Sequence, residues 1–188
     1  MKLKLIFLIF FSSSMMFSQT SFSHAAGIAG YFGTRNANSI AAGITYSPRF
    51  NFFKVSENST LSIGSHIGLG YNITNREANS FSYHLPVVLE FNFGHASDKT
   101  KYENGFGGFI GFGYSIDNTQ RSSYYYNGFT SINIVENDVI KGPMVNLGMR
   151  FKFLGKSAGI RFSYLYGTGD FEGGYMSSLG FQYNIGVQ

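Results

Sequence analysis

The chain has 188 residues, with 14 Lys and Arg against 10 Asp and Glu, 24 glycines, 21 phenylalanines, 13 tyrosines and no cysteine. Charged residues make up only 13% and form no basic cluster, which excludes a nucleic-acid surface; the lack of cysteine excludes disulfide staples and a lipidated cysteine. Abundant glycine and aromatic residues disfavour helices and suit many strands with crowded interiors.

At the N-terminus, Lys2 and Lys4 precede the apolar run Leu5 to Phe11 and then Ser12 to Ser14. A basic head, a short apolar centre and a small-residue exit predict a secretory signal peptide over residues 1–18. Cleavage after Ser18 leaves Gln19 as the new terminus; cleavage as late as Ala25 uses the small pair Ser23 and Ala25. Loss of the signal removes two lysines and leaves 12 cations against 10 anions. Residues 19–188 then form one domain. They contain no apolar run of the roughly 20 residues a membrane helix needs, so any membrane crossing must be a closed barrel.

Taken in order, eight segments show the two-residue period of strands with two unlike faces. The first is Gly27 to Gly33, marked by the polar turn Thr34 to Asn38; the second is Ile40 to Phe50, which contains Pro48. In the third, Leu61, Ile63, Ile67, Leu69 and Tyr71 alternate with small or polar residues. The fourth is the clearest: Phe81, Tyr83, Leu85, Val87, Leu89, Phe91 and Phe93 occupy every second position. Its thirteen residues exceed the usual soluble strand and suffice for a tilted transmembrane one, which needs about 9–11. Pro86 lies within it, and a bulge is expected there because proline donates no ladder hydrogen bond. Phe106 to Tyr114, Val145 to Phe153, Ile160 to Tyr166 and Leu179 to Val187 complete the set.

With both termini on the periplasmic side, the connections Thr34–Asn38, Asn72–Ser80, Ile116–Ile140 and Gly167–Gly174 lie outside the cell. Those at Lys54–Thr60, His95–Asn104 and Leu154–Ser157 lie inside. The longest connection falls outside, as expected of outer-membrane barrels.

On these residues the chain resembles the small eight-stranded outer-membrane barrels of Gram-negative bacteria, the OmpA-transmembrane and OmpX type. The resemblance rests on the signal, the eight alternating segments and the last strand, Leu179-x-Phe181-x-Tyr183-x-Ile185-x-Val187. That strand is similar to the terminal signal read by the barrel-assembly machinery, although it ends on Val187 and Gln188 rather than an aromatic. The resemblance implies an all-β, antiparallel, up-and-down transmembrane barrel in the outer membrane and implies no activity.

Eight strands enclose a space that side chains fill. Opposite the apolar face lie Glu90, Arg150, Lys152 and Arg161, expected as a structural network in the lumen. His66 and His84 also face inward, on adjacent strands, and could approach one another; two histidines without carboxylate or thiol make a poor zinc site, so no metal or cofactor is expected. His95-Ala96-Ser97 has the residue types of a nucleophile and its base but falls on a periplasmic turn, and Ser82 with His84 lacks an acid other than Glu90. No catalytic residue is assigned and the chain is expected not to be an enzyme.

The candidate partner contact is the loop Ile116–Ile140, with Tyr124, Tyr125, Tyr126 and Phe129. Asn127-Gly128 between β-prone runs signals a tight hairpin, so the flanking strands are expected to extend as a ribbon. Such tyrosines serve either recognition or an interfacial aromatic girdle, and Tyr164, Tyr166 and Tyr175 fit the girdle. The expected partners are outer-membrane lipid, the barrel-assembly machinery during biogenesis, and an extracellular protein or glycan. The expected function is an envelope scaffold with a plugged polar lumen, acting through surface loops. Two alternatives stand beside it: an outer-membrane lipid-modifying enzyme, and a soluble periplasmic barrel binding a hydrophobic ligand.

Overall fold

A computed structural model describes residues 20–34, 38–73, 81–98, 105–126, 128 and 130–186, with 119–125, 131–138 and 171 as backbone only. The expected signal peptide over residues 1–18 and Phe129 lie outside the described residues.

The strands are β1 (Ser21–Thr34), β2 (Asn38–Ser56), β3 (Ser59–Gly64), β4 (Ile67–Asn72), β5 (Phe81–Gly94), β6 (Phe106–Tyr126), β7 (Ser131–Phe153), β8 (Lys156–Tyr166) and β9 (Tyr175–Ile185). Chain neighbours pair antiparallel, except that β3 and β4 each pair with β2 and β5 instead of with one another, and β1 pairs with β9 from His24↔Ile185 to Thr34↔Tyr175, closing the sheet. Both β3 and β4 lie between β2 and β5, so together they fill one place in the ring. The result is a closed, eight-stranded, antiparallel barrel, as the alternating pattern predicts. Closure leaves no sheet edge around the ring.

The break between β3 and β4 has a covalent cause. Carried through the gap, the registers on its two sides place Pro48 opposite Ser65 and Pro86 opposite His66. Neither proline has an N–H to give, so two successive residues of the intervening strand lose a donor. The other half of the ladder remains: the Ser65 N–H donates to the Pro48 carbonyl at 3.0 Å, and Ser65 Oγ donates to the Pro86 carbonyl at 2.5 Å. The bulge expected at Pro86 is absent, since the β5–β6 register runs unshifted through Pro86↔Ser115. Irregularity appears instead near Asn51–Ser56, where β2 meets β3.

Alternation sets the two surfaces. Ile28, Ile44, Leu69, Leu89, Leu147 and Leu179 project outward and are exposed, whereas Ser47, Glu90, Asn146 and Arg161 are buried inside. This is the reverse of a water-soluble barrel. Aromatic side chains gather toward the two ends of the apolar wall. Tyr71 and Phe81 meet edge to face, and Tyr164 stacks on Tyr175 at 5.9 Å. At the other end Phe153, Phe181 and Tyr183 form an edge-to-face run. From Phe81 to Phe93, twelve steps of about 3.3 Å at a tilt near 40° rise roughly 30 Å, enough for the hydrocarbon layer of a bilayer.

The two ends differ. At the turn end, both termini and the β2–β3, β5–β6 and β7–β8 connections come together. At the ribbon end, β6 and β7 continue past the ring. β5 pairs with β6 only to His84↔Asp117 and β8 pairs with β7 only from Met144↔Leu165, yet β6 and β7 stay paired from Asn118↔Val139 to Tyr126↔Ser131. Nine rungs at about 3.4 Å make a ribbon of roughly 30 Å. Gly128, at φ 86°, turns its tip. The segment expected as a loop over Ile116–Ile140 is therefore mostly strand, with the hairpin where Asn127-Gly128 predicts it.

Candidate functional site: the buried interior and the ribbon

Inside the barrel, polar side chains form three connected groups. At the centre, His66 Nε2 lies 2.7 Å from Glu90 Oε1, and Asn146 donates its amide to the same Glu90 oxygen. Through its other nitrogen His66 meets Ser47 Oγ at 2.8 Å, and Ser47 donates to Gln182 Oε1 at 2.8 Å. Arg161, wholly buried, donates to Ser47 Oγ at 3.4 Å and to Thr45 Oγ1 at 3.3 Å. Because Ser47 gives its proton to Gln182, His66 Nδ1 must be the donor to Ser47. The Asn146 amide nitrogen also lies 2.8 Å from His66 Nε2, so His66, Glu90 and Asn146 meet at one point. These contacts join β2, the β3–β4 gap, β5, β7, β8 and β9 across the lumen.

Toward the turn end, Arg49 and Arg150 converge on the same two neutral acceptors. Arg49 donates to Asn92 Oδ1 and to the Ala96 carbonyl, both at 2.7 Å, and to Ser23 Oγ at 2.9 Å. Arg150 donates to Asn92 Oδ1 at 2.7 Å and to the Ala96 carbonyl at 3.3 Å, with its guanidinium 4.4 Å above the Phe109 ring. Ala96 is buried because residues 94–98 fold back into the mouth, using positive φ at Gly94 (68°) and Ala96 (56°). Thr60 Oγ1 secures the segment through the Ser97 carbonyl at 2.7 Å.

Toward the ribbon end, His84 Nδ1 meets Asp117 Oδ2 at 2.7 Å and Ser115 donates to the other oxygen of Asp117. Around this pair the interior is apolar: Tyr31, Ile140, Met144, Leu165 and Met176 are all buried. The lumen, expected to be polar, thus also holds an apolar cluster near this end.

Of the four residues expected in the lumen, Glu90, Arg150 and Arg161 are buried in these groups. Lys152 is not. It shares Arg150's side of β7 by alternation but sits two residues nearer the turn, beyond the closed mouth, and is exposed. His66 and His84 do not pair with each other; each takes a carboxylate, Glu90 and Asp117 respectively. Among the described residues no cluster of three or more potential metal ligands forms. Ser97 Oγ has no hydrogen-bond partner among the described residues, so the His95-Ala96-Ser97 run does not assemble a nucleophile on its base. Ser115, His84 and Asp117 bring three hydrolase residue types together in another order. The hydroxyl points at the carboxylate rather than at His84 Nε2, which does not activate a nucleophile.

Sequence reasoning missed Arg49 and Asp117. Arg49 alternates with Ser47 and Asn51 beside Pro48, which interrupts the strand pattern; Asp117 follows Ser115 on the inward face, past Tyr114 where the clear alternation ends. Extending the period three residues further would have found it.

Among the tyrosines expected at the ribbon, Tyr126 is 74% exposed and bonds only locally, to the Gly128 carbonyl at 3.2 Å. Tyr124 and Tyr125 stand on the backbone opposite Asn133 and Ile132; their side chains, like Phe129, lie outside the described set.

A closed ring of eight antiparallel strands, apolar outside and polar within, defines the fold of the small outer-membrane barrels. Solved structures of that class share it. The chain is similar to Neisserial surface protein A (NspA), with 12% identity and a TM-score of 0.55 over 88% of this chain and 97% of that one. It is similar also to Ail, the attachment invasion locus protein of Yersinia pestis, with 14% identity and a TM-score of 0.52 over 87% and 97%. Ail in complex with the heparin analogue sucrose octasulfate matches with 12% identity and a TM-score of 0.50 over 87% and 97%. No protein-family model matches the chain, and no curated protein matches it in sequence. At these identities the likeness is one of fold.

Proposed function

We propose that the protein is an outer-membrane scaffold of a Gram-negative cell that presents the β6–β7 ribbon to a polypeptide partner outside the cell. The observation that carries this reading is the inside-out barrel with a self-paired ribbon standing beyond it. The apolar wall between two aromatic belts matches a bilayer. Water around such a wall would be costly, and an apolar ligand at the centre would meet the polar groups of Ser47, His66, Glu90 and Asn146. The interior groups act as a plug, holding the strands together across the lumen and closing it to diffusion.

Asn118 still accepts from the Tyr83 N–H and donates to the Phe81 carbonyl, and the Lys141 carbonyl accepts from the Thr168 N–H at 3.1 Å. Beyond Asn118 on β6 and before Val139 on β7, the ribbon's outer edges pair with no other strand among the described residues. Unpaired strand edges accept an added strand, which gives main-chain affinity for an extended segment. Charge favours a polypeptide over a polyanionic glycan. The ribbon-end connections carry Arg35, Arg76, Arg121 and Lys141 against Glu77, Glu136, Asp138, Asp170 and Glu172, a net excess of one negative charge.

Expression with the chain's own N-terminus in a Gram-negative host tests this reading. The expected result is recovery in the outer-membrane fraction, a mobility shift on boiling, and trypsin cleavage at Arg121 on intact cells. Recovery in the soluble periplasm overturns the membrane reading; protection of Arg121 until the cells are lysed overturns the outward ribbon.

A further inference from the structure

The tight turn between β7 and β8 holds an unusual residue. Phe153↔Lys156 closes a two-residue turn of Leu154 and Gly155, both left-handed, at φ 49° and 78°. Turns of this kind take Asn-Gly or Asp-Gly, whose first residue tolerates positive φ; a leucine there is strained. The leucine gains nothing from the protein in return, being 84% exposed. Lys152 and Lys156 flank it and are exposed as well. A strained apolar tip between two ammonium groups suits neither water nor hydrocarbon alone. It suits the boundary where acyl chains give way to phosphates, with lysine stems lying along the apolar side and their heads at the charge.

Beside the tip is a recess of about 660 Å³ between this hairpin and the end of β9, lined by Leu154, Lys156, Tyr183, Asn184 and Ile185. Asn184 donates to Ser157 Oγ at 2.8 Å, fixing one wall. Ile185 and Leu154 give it an apolar side, and Lys156 gives it a cation. The described part of the turn end leans the same way, with Lys54, Lys152 and Lys156 against Glu57 and Asp98, an excess of one positive charge. Basic clusters at a bilayer surface select anionic lipids.

We propose that this recess holds the phosphate headgroup and upper acyl chain of an anionic phospholipid in the leaflet at the turn end. Lys156 meets the phosphate, while Leu154 and Ile185 meet the first methylenes. The inference rests on the membrane reading above and adds a lipid class and a place to it.

The test uses the full mature chain, folded into nanodiscs of equal phosphatidylglycerol and phosphatidylcholine with identical acyl chains. Lipid retained after mild extraction is counted by native mass spectrometry. Wild type is expected to keep phosphatidylglycerol several-fold over phosphatidylcholine, and Lys156→Gln to bring the ratio near one. Leu154→Asn, which suits the turn better, is expected to keep the boiling-dependent mobility shift and to retain less of both lipids. No preference in wild type, or an unchanged preference in Lys156→Gln, overturns the site. Displacement of the lipid by millimolar inorganic phosphate would make it a free-phosphate site instead. Failure to insert into the nanodisc bilayer overturns the membrane reading on which the inference stands.

Discussion

Three guanidiniums, those of Arg49, Arg150 and Arg161, are buried with two carboxylates, Glu90 and Asp117, among the described residues. Glu90 acts electrostatically on all three cations, whereas their hydrogen bonds go to neutral oxygens. Removing one member of a buried charged group leaves the others uncompensated. Glu90→Gln is therefore expected to destabilise the barrel by about 3 kcal/mol, seen as a lower urea midpoint in detergent. A change within about 0.5 kcal/mol would show that water, not Glu90, solvates these cations. Gly68 makes a second residue-scale test. A Cβ there would lie 2.0 Å from Tyr31 Oη, so Gly68→Ala must displace a buried ring. The expected cost is about 1–3 kcal/mol, and it should largely vanish in a Tyr31→Ala background, a non-additivity that only direct contact produces. Alternation made Glu90, Arg150 and Arg161 legible in the sequence. Period two reports the side of a strand and not the height along it, which is why Lys152 was grouped with Arg150 although it lies past the mouth.

Among elements, the ribbon and the double-proline gap carry separate consequences. Because rungs Thr119↔Asp138 to Tyr126↔Ser131 pair only with each other among the described residues, replacing residues 119–138 by a short turn should leave the barrel folded. The expected variant keeps its boiling-dependent mobility shift while losing any ribbon-borne binding; loss of the shift would mean that the ribbon supports the ring. At the gap, Pro48→Ala and Pro86→Ala each return an N–H to face Ser65 or His66. Each is expected to add about 1 kcal/mol of stability and to slow amide exchange at those two positions, measured by hydrogen exchange. Unchanged exchange would assign the gap to something other than the missing donors. The prolines were visible in the sequence, but their meaning was not: only the register shows that both face one strand on successive residues.

At the scale of the whole molecule, the eight-stranded ring was readable because seven of the segments alternate over long runs, whereas the weakest, Gly27 to Gly33, is the middle of a much longer strand. β1 starts at Ser21, and Ser21 to Ala25 pair with Asn51 to Ser47. Ser23 also receives a hydrogen bond from Arg49. Cleavage after Ala25 would remove that partner and five rungs, so the mature protein is expected to begin at Gln19, checked by intact mass of the purified outer-membrane form. A mature terminus at Ala26 would mean that the barrel closes without those rungs.

Joining β1 to β9 makes the pairing of greatest sequence separation, His24 with Ile185, the one that completes the molecule. Until Tyr175–Ile185 arrives, β1 and β8 each present a row of unsatisfied amides, which lipid cannot tolerate and which water leaves open to other chains. Distant contacts of this kind form slowly because the loop between them must be closed first. A chain lacking β9 would therefore be a sticky open sheet rather than a slightly smaller barrel. On the membrane reading proposed above, entry into the bilayer has to wait for β1 to meet β9.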